Sequence, residues 1–166
     1  MSARDAVIVD AVRTPVGKRN GSLAAIHAAD LSAHVLNALV TRNGLDPAVV
    51  DDVIWGCVMQ VGQQGLNVGR MAVLAAGWPE SVPATTVDRQ CGSSQQSIHF
   101  AAAGLISGQY DVAVAGGVDG GQGAVPLADR GTHRIDNDGV ACGHADLQES
   151  ELTVLCPFNA IAPRGW

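Results

Sequence analysis

The residue whose type and setting most suggest chemistry is Cys91, in the segment VDRQCGSSQQS at residues 87–97. A short β-branched segment precedes it and a helical pattern follows it, so Cys91 is predicted to lie just before a helix N-terminus. Such an end carries about half a positive charge and several N–H groups that lack partners within the helix. Both features stabilise a thiolate, which is the nucleophilic form of cysteine. The segment therefore predicts a cysteine that can accept an acyl group.

A purely structural role is the alternative for Cys91, because cysteine is among the residue types most often buried. The residues of the segment alone leave both interpretations open. Cys57, by contrast, lies inside an apolar segment and is predicted to be a buried structural cysteine. The chain's four cysteines show neither a CxxC pair nor zinc-ligand spacing, so no metal site is predicted.

The composition of the 166 residues indicates a mainly globular protein, with 47% hydrophobic and 16% charged residues. A formal net charge of −6 without a basic patch argues against nucleic acid as a partner. The chain shows no signal-peptide pattern and no apolar run of the roughly 18 residues that a membrane span needs. The expected location is therefore the cytoplasm, with reduced thiols and no membrane partner.

Four apolar segments alternate with three helical patterns, which predicts the order β-α-β-α-β-α-β. Strands are predicted at 6–12, 51–59, 83–88 and 110–119, the first and last of them buried. Helices are predicted to begin near 30, 66 and 92, with Asp30 and Asn67 as N-caps and Gly44 as the end of the first. The third helix is predicted to present one apolar face made of Ile98, Ala101, Ala102, Leu105 and Ile106.

This alternation is typical of an α/β fold with a mainly parallel sheet, in which functional groups gather at the carboxyl ends of the strands. Cys91 falls at that edge. We place a domain boundary near residue 120, so that 1–120 form one partial domain and 121–166 an irregular tail, rich in Gly and Asp. Within the tail, the segment LQESELTVL at 147–155 is predicted as a short helix. The neighbours Cys142 and His144 are interpreted as part of a polar loop.

The chain resembles the thiolases, a family of acyl-CoA acyltransferases, in several motifs that occur in the same order. VDRQCGSSQQS resembles their nucleophile segment, and DAVRTPVGKRNGSLA resembles their opening strand and loop. The N-x-x-R motif of Asn67 and Arg70 lies between them. GQYDVAVAGGVD resembles the strand that follows the nucleophile helix, with Asp119 where the family usually has glutamate. The resemblance covers about residues 5–120, and CGSSQQ is more similar to thiolases of longer or steroid-like acyl chains than to short-chain biosynthetic ones.

The resemblance implies that this chain supplies most of the first half of a five-layered α-β-α-β-α sandwich. It implies that Cys91 attacks the thioester of an acyl-CoA or 3-ketoacyl-CoA and holds the acyl group, in fatty acid or steroid metabolism. Coenzyme A is then a substrate, and no resident cofactor or metal is expected. The family forms dimers or tetramers, in which the strand before the nucleophile pairs across the dimer and the loop at 61–70 reaches toward the neighbouring site.

Two motifs of the thiolase second half, the G-H-P histidine and the C-x-G cysteine, do not occur in these 166 residues. Standalone turnover is therefore not expected. One hypothesis is the N-terminal part of an acyltransferase, completed by a partner chain that supplies the second half. A second is a non-catalytic assembly module that keeps the family's dimer surface. A third is a remnant that does not fold stably, because a lone half leaves an apolar sheet face uncovered.

Overall fold

The computed structural model describes residues 5–15, 17, 21–119 and 149–157. Its strands are β1 (Ala6–Arg13), β2 (Asp52–Gly56), β3 (Ala84–Val87), β4 (Ala113–Asp119) and β5 (Glu149–Pro157). Its α-helices are α1 (Ala28–Asn43), α2 (Val68–Ala75) and α3 (Ser93–Ser107), with short 3-10 turns at Pro47–Val49 and Gly62–Gln64. Among these residues, none of the helices combines the length and the apolar character needed to cross a bilayer.

The five strands form one sheet in the order β1-β5-β4-β2-β3. β2 runs parallel to both of its neighbours, β3 and β4, whereas β5 runs antiparallel to β1 and to β4. The first four strands therefore point the same way, which confirms the predicted α/β fold with a mainly parallel sheet. As a consequence, the carboxyl ends of β2, β3 and β4 meet at one edge.

The prediction of a short helix over 147–155 is wrong, because residues 149–157 form β5. β5 lies between β1 and β4 and pairs with both, so its backbone N–H and C=O groups complete the ladders of both neighbours. Such pairing satisfies the backbone groups of three strands at once and overrides a weak local helical pattern. The remainder of the predicted tail, with Cys142 and His144, lies outside the described residues.

Helices cover both faces of the sheet and create two hydrophobic clusters. Trp55 belongs to the cluster beneath α1 and α2. Ile54, its neighbour in β2, belongs to the cluster beneath α3. The split follows from the two-residue period of a strand, which sends successive side chains to opposite faces. β4 is buried from Ala113 to Val118, as predicted for a strand covered on both sides.

β1 departs from the prediction of a buried strand. Ile8 is 61% exposed and Val9 is 43% exposed. β1 is an edge strand of the sheet, and its register with β5 is irregular between Ile8 and Asp10. An edge position leaves one side of a strand without a neighbour, and the irregularity turns apolar side chains away from the core. The apolar composition of β1 alone does not distinguish a partly exposed edge strand from a buried strand.

The helix ends agree with the sequence at two of the three named positions. Asn67 caps α2, with its Oδ1 accepting a hydrogen bond from the Arg70 N–H at 3.1 Å, and Gly44 ends α1 with a φ of 59°. Asp30 does not cap α1. The cap is His27, whose Nδ1 accepts from the Ala29 N–H at 3.1 Å. Asp30 instead lies in the first turn, where a carboxylate still interacts favourably with the helix dipole.

α3 begins within one residue of the predicted start near 92, but its buried face is different. Ala101 and Leu105 are fully buried, whereas Ile106 is 53% exposed. Ser93, Ser97 and Gly104 take places on the buried face instead. These small residues bring the helix backbone close to the sheet, and the larger Ile106 lies outside the contact.

Candidate active site

Cys91 lies where the sequence predicted it, in the connection between β3 and α3. Gly92 is the N-cap of α3, and the helix begins at Ser93. Cys91 is exposed, whereas the alternative role predicted a buried residue. The connection follows the carboxyl end of β3, so the cysteine lies at the functional edge of the parallel strands.

Cys91 has an unusual backbone conformation, with a φ of 60°. It occupies the third position of a four-residue turn that is closed by a hydrogen bond from the Gly92 N–H to the Arg89 carbonyl at 2.8 Å. A left-handed conformation costs roughly 1–2 kcal/mol for a residue with a side chain. Strained positions of this kind persist only where the surroundings impose them, and they concentrate at functional sites.

Ser93 supplies the local restraint on this turn. Its hydroxyl accepts a hydrogen bond from the Arg89 N–H at 3.0 Å and donates one to the Arg89 carbonyl at 2.9 Å. Each bond contributes about 0.5–1.5 kcal/mol, so the pair offsets the cost of the positive φ at Cys91. The sequence alone did not predict this role for Ser93. The available signal was a serine two residues after the cysteine.

Two glycines let the first turn of α3 approach the sheet. A Cβ atom at Gly56, the last residue of β2, would overlap the backbone of Ser93, and one at Gly117 would overlap the Ser94 hydroxyl. Gly56 and Gly117 are partners across the β2–β4 ladder. The N-terminus of α3 is therefore seated on a side-chain-free patch at the carboxyl edge. Sequence reasoning missed both glycines, because their role depends on pairing between distant strands.

The electrostatic setting of Cys91 combines a helix end with nearby charges. Gly92 has no side chain with which to cap α3, and the positive end of this 15-residue helix faces the turn. The Arg89 guanidinium is held by Gln96 Oε1 at 2.5 Å, and Asp88 accepts from Gln90 Nε2 at 3.2 Å. Both charged side chains therefore have hydrogen-bond partners close to the turn.

Cys91 is disulfide-bonded in the structure, which departs from the prediction of reduced thiols. An exposed thiol at a helix N-terminus is accessible to another cysteine, which explains why this position can be oxidised. The nucleophilic chemistry considered below is that of the reduced chain.

Cys57 has the structural setting predicted for it. It is 1% exposed and directly follows β2. Its Sγ lies 3.5 Å from Gln64 Oε1, and its backbone N–H donates to the Val87 carbonyl at 3.0 Å. Cys57 thus holds the end of β2 against the end of β3. A thiol this deeply buried is not accessible to an acyl donor.

The N-x-x-R motif joins α2 to β3. Asn67 Oδ1 accepts from the Thr86 hydroxyl at 2.6 Å, and Asn67 Nδ2 donates to the Ala84 carbonyl at 2.8 Å. Arg70 donates to the backbone carbonyls of Val82 and Glu80. The motif therefore holds in place the strand that leads into the Cys91 turn, and it does so with structural hydrogen bonds.

The described histidines lie at positions that do not suit a base that activates Cys91. His27 uses its ring to cap α1, and His34 and His99 are exposed on α1 and α3. Within the described ranges, no group of three or more His, Cys, Asp or Glu residues is arranged to hold a metal ion. The described residues thus place an exposed cysteine beside the N-terminus of α3.

Comparison with known proteins relates these features to one group of enzymes. The family described as "Thiolase, N-terminal domain" matches residues 6–124. The chain is 58% identical over 114 residues to the steroid 3-ketoacyl-CoA thiolase FadA6 of Mycobacterium tuberculosis, which covers 69% of this chain and 28% of that protein. It is 52% identical over 121 residues to the 3-ketoacyl-CoA thiolase of Saccharophagus degradans, covering 72% and 31% of the two chains.

A solved structure gives the same relationship. The crystal structure of the Bacillus anthracis acetyl-CoA acetyltransferase matches with a TM-score of 0.67 and 35% identity, over 82% of this chain and 35% of that one. The chain thus spans about a third of the length of the relatives that it matches.

Proposed function

Because this chain belongs to the thiolase family of acyltransferases, we propose that Cys91 is the nucleophile that takes an acyl group from an acyl-CoA or 3-ketoacyl-CoA thioester. The observation that carries this proposal is the position of Cys91, exposed and at a φ of 60°, one residue before the N-cap of α3. A thiolate there is stabilised by the helix end. The exposure of Cys91 gives a thioester access to it.

The proposed first step is a thioester exchange. The Cys91 sulfur bonds to the carbonyl carbon of an acyl-CoA, the bond from that carbon to the coenzyme A sulfur breaks, and the coenzyme A thiolate takes up a proton. With a 3-ketoacyl-CoA, the Cys91 sulfur bonds instead to the 3-keto carbonyl carbon. The bond from that carbon to the α-carbon breaks, and the α-carbon of the departing acetyl-CoA then needs a proton donor. Backbone N–H groups at a helix end are suited to stabilise the oxyanion that forms in either case.

The proton transfers of the complete reaction need more groups than these residues offer. Positioned acids and bases contribute about 10²–10⁴-fold each to the rate. The helix end contributes at most about 2 kcal/mol to thiolate formation, or roughly one and a half pKa units. We therefore propose that the chain alone is acylated slowly. Full turnover then requires a histidine and a second cysteine from outside these 166 residues, in a partner chain or a second half.

The proposed substrates are 3-ketoacyl-CoA esters of fatty acid or steroid metabolism, in the cytoplasm. The names of the relatives support this class, since one is a steroid 3-ketoacyl-CoA thiolase and the other a 3-ketoacyl-CoA thiolase. Coenzyme A enters as a substrate, without a resident cofactor. Comparing short, long and steroid-like acyl chains in the completed enzyme would identify the preferred one.

A second copy of the chain is the proposed partner along β3. Among the described strands, β3 pairs only with β2, so one of its edges is open. The neighbouring connection from β2 to α2 exposes Met59, Val61 and Leu66, the last of them 91% exposed. Open strand edges and clustered apolar side chains are features of protein interfaces. Both support a dimer in which β3 strands meet.

The same surface supports an alternative function, a non-catalytic assembly module that keeps the family's dimer face. In that case the chain forms dimers, while Cys91 has no part in acyl transfer. The two proposals differ in what Cys91→Ala does. It abolishes acyl transfer in the first and changes nothing functional in the second.

The experiment follows consumption of acetoacetyl-CoA in the presence of coenzyme A and a reductant. The chain is assayed alone and mixed with a separately produced polypeptide that carries the G-H-P and C-x-G motifs of a 3-ketoacyl-CoA thiolase. The proposal predicts turnover in the mixture only, abolished by Cys91→Ala. Turnover in the mixture that survives Cys91→Ala would contradict the nucleophile assignment, and dimers without any acyl transfer would favour the assembly module.

A further inference from the structure

We infer that Ser93 is a positioning residue for Cys91, whose hydroxyl keeps the Arg89–Gly92 turn closed and thereby holds the thiol at the N-terminus of α3. This inference rests on the proposed role of Cys91 as the nucleophile. It adds a residue whose function is to maintain the reactive conformation, without contact with the acyl group.

The two hydrogen bonds of Ser93 join residues that lie on either side of Cys91 along the chain. Arg89 lies two residues before Cys91 and Ser93 lies two residues after it, and the Ser93 hydroxyl binds both the N–H and the carbonyl of Arg89. One oxygen atom thus ties together the two sides of the turn. Ser93 is only 6% exposed, so water cannot readily replace its hydroxyl.

Ser93 does not act as an ordinary helix cap. The N-cap of α3 is Gly92, whose carbonyl accepts the Gln96 N–H at 2.9 Å. The Ser93 hydroxyl bonds backwards to Arg89, away from the N–H groups of the helix that it begins. Its bonds therefore serve the conformation of the turn. Cys91 is the residue of that turn with a positive φ.

Ser97 offers a matched control on the same helix. It is fully buried, and its hydroxyl donates to the Ser93 carbonyl at 3.0 Å, a bond within the helix one turn further on. Ser93→Ala and Ser97→Ala each remove one buried hydroxyl from the same face of α3. Only the first removes the bonds to the turn that carries Cys91.

Loss of the Ser93 hydroxyl lets Cys91 return to a negative φ, which moves the thiol away from the helix end. The thiolate then loses part of the stabilisation by α3, while the charged residues Arg89, in the turn, and Asp88, just before it, remain. A weaker field from the helix end means that a smaller fraction of Cys91 is thiolate at neutral pH.

The test measures alkylation of Cys91 by iodoacetamide in the reduced full-length chain across pH, by peptide mass spectrometry. We expect Ser93→Ala to lower the rate at neutral pH about three- to tenfold and to shift the profile to higher pH. Ser97→Ala should keep the wild-type profile even if it melts at a lower temperature. Ser93→Thr, which retains the oxygen, should also keep it. The ¹³C chemical shifts of Cys91, assigned by their loss in Cys91→Ala, should leave the left-handed range only in Ser93→Ala.

A wild-type profile and wild-type ¹³C shifts in Ser93→Ala would overturn the inference, as would an equal shift of the profile in Ser97→Ala. If Ser93→Ala does not fold, Ser93→Thr decides: a wild-type profile supports the inference and a shifted profile overturns it. Iodoacetamide needs no acyl-CoA, so this result is independent of the proposed function. Slowed alkylation in Ser93→Ala, together with absence of acylation at Cys91, would uphold the positioning role and reject the proposed reaction.

Discussion

Gly56, the last residue of β2, lies so close to the backbone of Ser93, the first residue of α3, that no Cβ atom fits between them. Gly117, its partner across the β2–β4 ladder, meets the Ser94 hydroxyl in the same way. These contacts determine where the first turn of α3 meets the sheet. They therefore also determine where Cys91 lies relative to the carboxyl edge of the strands.

Gly56→Ala is expected to displace the N-terminus of α3, because the added methyl group meets backbone that has no flexible side chain to move aside. Overpacking of this kind typically costs about 1–3 kcal/mol of the free energy of unfolding. Urea unfolding measures that loss, and alkylation of Cys91 should slow in parallel. Gly77→Ala is the control, since it adds backbone strain at a φ of 75° in open space. An unchanged alkylation rate in Gly56→Ala would contradict this account of the junction.

Cys91 is expected to react with iodoacetamide before Cys57 once the chain has been reduced. The physical reason is that Cys91 is exposed beside a helix end, whereas Cys57 is 1% exposed. Peptide mass spectrometry over a range of pH gives the order of reaction, and urea-unfolded chain provides the reference in which all four thiols are accessible. Reaction of Cys142 or Cys156 at a lower pH than Cys91 would show that exposure alone governs reactivity.

Gly104→Ala is expected to destabilise the fold, because the ring of Tyr110 occupies the space that the methyl group would need. The overpacking cost of about 1–3 kcal/mol exceeds the gain of roughly 0.5–1 kcal/mol that alanine brings to a helix interior. Thermal unfolding of the single and double variants gives the coupling between the two positions. In a Tyr110→Ala background the substitution should become neutral or stabilising. An equal loss in both backgrounds would contradict the packing argument.

Asp10 is expected to make stability depend on acid pH. The hydrogen bond from Asn43 Nδ2 is the main cause that lowers the pKa of Asp10, helped by the Ala11 N–H and by Arg42, while burial opposes them. A lowered pKa means that the stabilisation is present above the ordinary value of 3.8 and is lost as the pH falls through the folded-state pKa.

Asp10→Asn tests this dependence through the free energy of unfolding at several pH values. The difference between wild type and variant should be constant above the ordinary aspartate pKa and should shrink as the pH falls below it. Arg42→Gln leaves Asn43, the main cause, in place and should reduce the dependence only in part. A difference that is the same at every pH would mean that the Asp10 contacts contribute as neutral hydrogen bonds.

Sequence patterns predicted β2, β3, β4 and α3 because each of these elements is a continuous segment with its own periodicity, and strands and helices alternate along the chain. Strand and helix periodicities are then read over short windows, and Cys91 is placed by the junction between two of them. The structural role of Cys57 could be predicted in the same way, from the apolar residues around it.

The remaining features depend on contacts between distant segments. β5 is a strand because β1 and β4 both pair with it. The local pattern of LQESELTVL does not indicate that pairing. The exposure of Ile8 follows from the place of β1 at the sheet edge. Likewise, Gly56 has its role only through the approach of α3. His27, and not Asp30, is the N-cap of α1, because of a side-chain geometry that the sequence pattern does not predict.

The role of Cys91 as the acyl-accepting nucleophile can be tested by incubating the reduced chain with acetyl-CoA and locating the acetyl group by peptide mass spectrometry. We expect slow, partial acetylation at Cys91 that is absent in Cys91→Ala, and no turnover of acetoacetyl-CoA by the pure chain. Acetylation at another residue with Cys91 unmodified would contradict this role. Rapid turnover of acetoacetyl-CoA by the pure chain, abolished by Cys91→Ala, would uphold the nucleophile. It would contradict the proposal that the activating base comes from outside these residues.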